Sequence, residues 1–81
     1  MNNEQAKIEL KKQLILRGFG EKHAEKKSFN ISRSWLPSVL TKPFTSEYVA
    51  GLADRALRDE IAEYGSIRDD SKITPIVVSI V

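Results

Sequence analysis

Gly20-Glu21-Lys22-His23-Ala24-Glu25-Lys26-Lys27-Ser28-Phe29-Asn30-Ile31-Ser32-Arg33-Ser34-Trp35-Leu36-Pro37-Ser38-Val39-Leu40 is the stretch on which the fold turns. Its first part, residues 20–27, is polar and reads as a short helix with Ala24 and Phe29 facing inward. Asn30 suits a tight turn between helices, because asparagine tolerates the left-handed backbone conformation such a turn requires. Ser32 or Ser34 can then cap a second helix by accepting backbone N–H bonds that its first turn leaves without partners. Leu36, Val39 and Leu40 are spaced to face inward from that helix. Pro37 limits where the helix starts. With a start at Arg33 it falls in the second turn, where it lacks a needed N–H and clashes with the preceding turn. With Ser34 as the cap it falls among the first N–H groups, and the helix spans residues 35–41. Arg33 then lies in the turn ahead of it.

Working outward, residues 3–17 form a first helix, stopped by Gly18 and Gly20. Ala6, Leu10 and Leu14 recur at four-residue intervals as a core stripe. Ile8 and Ile15, seven apart, lie on nearly the opposite side, so this helix is either sandwiched inside the fold or shared with a second subunit. Downstream, Pro43 and Phe44 break the pattern, and Thr45 or Ser46 caps a helix over residues 47–64. Val49, Leu52, Ala53, Ala56, Leu57, Ile61 and Tyr64 mark its inner face and Gly65 closes it. Asp54, Arg55, Arg58, Asp59 and Glu63 form a solvated outer face. The tail Lys72-Ile73-Thr74-Pro75-Ile76-Val77-Val78-Ser79-Ile80-Val81 is β-branched and apolar, which predicts a strand. A lone strand leaves its backbone groups unpaired, so it pairs with the same tail of another subunit, docks on a partner protein, or frays. The expected architecture is mainly α: a compact bundle of four short helices over residues 1–70, with a C-terminal strand over 71–81 paired between subunits.

The chain has 81 residues, enough for one domain. It contains no cysteine, which excludes disulfides, thiolate zinc sites and thiol catalysis, and is compatible with a reducing cytoplasm. No stretch approaches the roughly 18 apolar residues of a membrane span, and the start lacks the order of a secretory signal. A cytoplasmic domain with no membrane association is expected. The net charge of +2 is unevenly spread. Lys22, Lys26, Lys27, Arg33 and Lys42 face only Glu25 across residues 22–42. From residue 46 to 70, Glu47, Asp54, Asp59, Glu60, Glu63, Asp69 and Asp70 outnumber Arg55, Arg58 and Arg68. The positive end is where a polyanion is steered.

Catalytic groupings are missing. His23 is the only histidine and reads most simply as a surface residue, with no partner for zinc except carboxylates. Ser32, Ser34 and Ser38 have no histidine and carboxylate suggested beside them. Asp59-Glu60 and Asp69-Asp70 are adjacent pairs, and adjacent helical residues do not face each other. No glycine-rich phosphate loop is present. Neither enzymatic activity nor a metal or cofactor is expected.

The helix from about Gly20, the turn at Asn30 and the second helix opening with serines and arginine make a helix-turn-helix layout. Asn30-Ile31-Ser32-Arg33-Ser34-Trp35-Leu36, with Arg17-Gly18 upstream and Val39-Leu40-Thr41-Lys42-Pro43-Phe44 downstream, resembles small phage and plasmid regulators. These are the Ner-type and Cro/CI-like members of the lambda-repressor-like class. The resemblance covers about residues 6–62 and implies a homodimeric, DNA-binding transcription regulator or repressor. It implies that Ser32, Arg33, Ser34 and Ser38 face the major groove of double-stranded DNA. It also implies that Lys22, Lys26, Lys27 and Lys42 neutralise phosphates. Trp35 either completes the core or stacks on a base. The alternative reading is a protein-binding module, such as a phage-encoded inhibitor or an antitoxin, docking through its tail strand and helical surface.

Overall fold

The computed structural model describes residues 1–35 and 44–73. The chain is mainly helical: α1 (Asn3–Leu16), α2 (Glu21–Ser32), α3 (Ser46–Tyr64) and a 3-10 turn (Asp70–Lys72). No strand occurs among the described residues. The expected fourth helix at residues 35–41 lies almost wholly outside them, as does most of the expected tail strand. At the strand's first two residues the expectation is corrected, since Ser71 and Lys72 belong to the 3-10 turn and Ile73 is buried directly after it.

α1 is the central helix and packs against both α2 and α3. A reciprocal capping box opens it: the Gln5 N–H donates to Asn2 Oδ1 at 2.8 Å, and the Asn2 N–H donates to Gln5 Oε1 at 3.1 Å. Two of the N–H groups that every helix start leaves unpaired are thereby satisfied. Ala6, Leu10 and Leu14 are fully buried, as their spacing predicts. Ile8 is 68% exposed and Leu16 73%, with Ile15 exposed beside them. That face is therefore not sandwiched within the described chain. At the far end of α1, Arg17 Nε donates to Asp54 Oδ1 at 2.6 Å while its Nη1 donates to the Gln13 carbonyl at 2.9 Å. This arginine ties the end of α1 to α3.

α2 departs from the expected layout. It runs through Asn30 to Ser32, so Asn30 is helical and is not the turn residue. No described residue other than glycine adopts positive φ. The extension has a packing cause. Ile31 packs partly buried against the core, which holds the last residues of α2 in helical register. The chain turns later, where the Ser34 N–H donates to the Ile31 carbonyl (3.3 Å) and the Trp35 N–H to the Ser32 carbonyl (3.1 Å).

α3 is capped by Thr45, whose Oγ1 accepts the Tyr48 N–H at 3.1 Å. Gly65 closes it at φ +80°, a left-handed conformation that glycine adopts without the Cβ penalty. Val49, Ala53 and Ala56 are buried as expected, but Ile61 and Tyr64 are half-exposed. Glu60 takes the inward position at the C-terminal end of the stripe and is 1% exposed. The core otherwise consists of Phe19 and Ala24 with the α1 and α3 stripes, flanked by Ile31, Trp35, Phe44, Leu52, Leu57 and Ile67. Trp35 stacks on Phe44 with centroids 4.6 Å apart, so it joins the core edge. No described helix is long and apolar enough to cross a membrane.

Candidate anion-binding site beside alpha 2

The helices deliver polar side chains to one place at the C-terminal end of the fold. α3 brings Glu60, α2 brings His23 and Lys27, and the segment after α3 brings Arg68. Arg68 Nε donates to Glu60 Oε2 at 3.0 Å and its backbone N–H donates to the same oxygen at 3.1 Å. Lys27 Nζ lies 3.3 Å from Glu60 Oε1. Burial pushes the Glu60 carboxyl up. The Arg68 side-chain and backbone bonds, the Lys27 bond and the charge of His23 outweigh it, holding the group at about 2. Glu60 is therefore a buried carboxylate with a set of donors built around it.

His23 is 1% exposed, which corrects the expectation of a surface residue. Its ring meets Phe19 edge-on at 4.8 Å. Nδ1 lies 3.1 Å from the Arg68 carbonyl oxygen, and only an Nδ1–H can donate there. The opposite nitrogen, Nε2, is buried without a hydrogen bond among the described residues, 3.5 Å from Glu60 Oε2. A neutral ring protonated at Nδ1 turns a lone pair toward that carboxylate. The imidazolium turns an N–H toward it.

Above this cluster lies a recess of about 110 Å³ lined by His23, Lys26, Lys27, Asn30, Arg68, Lys72 and Ile73. Four of those side chains are cationic, and no described carboxylate lines the wall. The volume is several times the roughly 30 Å³ that one water occupies in the liquid.

Of the residues expected at a binding surface, Lys26 and Lys27 line the recess. Lys22 is exposed at the start of α2 and Arg33 is exposed at its end. Three of these, Lys22, Lys26 and Arg33, fall within about 40° on the helix, given 100° per residue. Lys27 is partly spent on Glu60. Ser32 and Ser34 are engaged locally: their hydroxyls donate to the Phe29 carbonyl at 3.0 Å and the Ile31 carbonyl at 2.9 Å. Ser38 and Lys42 lie outside the described residues. Sequence reasoning missed Arg68 and Lys72, which are remote in the chain from α2. It also missed that Glu60 is internal, although its spacing from Val49, Ala53 and Ala56 continues the buried stripe.

The chain matches no protein-family model, no curated protein and no solved structure.

Proposed function

We propose that the domain binds the phosphate backbone of duplex DNA along the edge of α2. The observation that carries this reading is the recess in which Lys26 and Lys27 of α2 meet Arg68 and Lys72. Four cations from two separate parts of the chain share a wall without a carboxylate among the described residues, and Glu60 offsets only part of their charge. Phosphate oxygens complement such a wall, and lysine neutralisation of phosphates supplies most of non-specific DNA affinity. Lys22 and Arg33 extend the basic track to both ends of α2, over about 16 Å at 1.5 Å per residue.

Base readout receives less support. The Ser32 and Ser34 hydroxyl protons are committed to backbone carbonyls, and Arg33 sits at the helix end rather than in a helix lying in the groove. Binding that positions the domain on the backbone, with weak sequence preference, follows from that arrangement. A transcription regulator of the helix-turn-helix kind remains the functional setting.

Fluorescence anisotropy with a labelled duplex of unrelated sequence tests this. The four recess cations alone give a slope of about −3.6 in a plot of log affinity against log salt, which contacts from Lys22 and Arg33 steepen. Lys26→Ala and Lys72→Ala each flatten that slope by about one unit. Lys72 is the informative position, since the sequence pattern of α2 alone does not implicate it. No binding at low salt, or a Lys72→Ala slope equal to the native one, overturns the reading.

A further inference from the structure

The outer face of α1 carries opposite charges at equal spacing on either side of an exposed isoleucine. Ile8 lies at its centre and is 68% exposed, and Leu16 is 73% exposed beside Ile15. Glu4 and Lys12, both exposed, flank Ile8 at four residues on either side. Neither has an ion-pair partner among the described residues. At 100° per residue, Glu4, Ile15, Ile8 and Lys12 fall within about 80° of one another. They form one stripe, opposite the buried Ala6, Leu10 and Leu14.

We propose that this stripe is the seam of a homodimer in which two α1 helices cross antiparallel about a two-fold axis at Ile8. In such an isologous contact a residue k places after Ile8 meets the residue k places before it in the other copy. Ile8 therefore meets Ile8, and each Glu4 meets the Lys12 of the other copy, about 6 Å along the helix from the axis. Ile15, seven places after Ile8, meets Met1 ahead of the other copy's α1. A parallel arrangement sets Glu4 against Glu4 and Lys12 against Lys12, so the charges select the antiparallel one. One helix pair buries less than a standard interface, so the dimer is weak, with dissociation on the order of 10–100 μM. The inference stands apart from DNA binding, which uses α2.

Sedimentation equilibrium of the full chain across that concentration range tests it. Ile8→Glu abolishes dimerisation. Because symmetry duplicates each contact, Glu4→Lys or Lys12→Glu alone weakens association by about tenfold. The double variant, Glu4→Lys with Lys12→Glu, regains native association by restoring both pairs in reversed sense. All of these positions are exposed, and far-UV circular dichroism checks that each variant keeps its helices. Recovery in the double variant is the outcome that a loss of fold stability does not produce. A native chain that stays monomeric throughout, or a double variant weaker than both single ones, overturns the proposal.

Discussion

At the scale of single residues, Glu60 is expected to contribute most to the protein's loss of stability in acid. Its carboxyl is held at about 2 against an ordinary glutamate value near 4.3 in the unfolded chain. A group whose folded value is depressed contributes stability that is fully present above the unfolded value and is lost as pH falls toward the folded one. The Glu60 contribution is thus intact above about pH 5 and disappears between about pH 4.5 and pH 2, amounting to about 3 kcal/mol at most. In Glu60→Gln the thermal midpoint measured between pH 6 and pH 2.5 falls less steeply with acid than in the native chain. At neutral pH the variant is less stable, because Arg68 and Lys27 lose their charged acceptor. Parallel pH profiles for the two proteins contradict this assignment. The reason sequence reading misses Glu60 is also physical. A glutamate on a buried stripe looks like an interruption until its donors are known, and Arg68 reaches it from eight residues further along the chain.

Among the helices, legibility follows how each one hides its inner face. α1 and α3 bury alanine, leucine and valine at three- and four-residue spacing, and each is closed by signals close in the chain. The start of α1 at Asn3, the cap at Thr45 and the close at Gly65 could therefore be read directly or to within a residue. α2 buries His23, Ala24 and Ser28, two of which are polar, so its inner face is faint in a hydrophobicity pattern and its end was expected at Asn30. Its start at about Gly20 is legible, but the cap there is not, because Gly20 occupies the cap position and offers no side chain. The cap comes instead from Asp70, whose Oδ1 accepts the His23 N–H at 3.0 Å and whose Oδ2 accepts the Lys22 N–H at 3.2 Å. No local rule anticipates a cap from 47 residues away. A Cβ at Gly20 would overlap the Asp70 carboxylate, so the glycine makes room for the cap. Asp70→Ala is expected to cost about 1 kcal/mol, the usual value of a lost helix cap. Gly20→Ala costs a similar amount in the native chain by displacing the carboxylate, and almost nothing when Asp70 is already alanine. Urea unfolding of the two single variants and the double variant measures that coupling; additive losses would show that Gly20 and Asp70 act independently.

Over the whole molecule, residues 66–73 hold the helices together although they contain only one short turn. They supply Ile67 and Ile73 to the apolar interior, Arg68 to Glu60, Asp70 to the start of α2 and two cations to the recess. The helical bundle was legible in the sequence because its apolar periodicity is local. The candidate site was only half legible, because its second half arrives through this segment, whose composition resembles a linker. A chain ending at Gly65 tests how much the fold depends on it. That truncation leaves Glu60 buried with only Lys27 and His23 beside it, exposes apolar surface and uncaps α2. Breaking a buried ion pair alone costs about 3–5 kcal/mol, against a total stability of about 4–12 kcal/mol for a domain of this length. The truncated chain is therefore expected to lose most of its helical circular dichroism at 25 °C, or to unfold at a much lower urea midpoint. Glu60→Leu in the truncated background should recover part of that loss, because it removes a buried charge whose main partner has gone. In the full chain the same substitution leaves Arg68 and Lys27 facing an apolar group and should destabilise. A truncated chain with the native urea midpoint, or a leucine that has the same effect in both backgrounds, would show that the segment is only an appendage to the three helices.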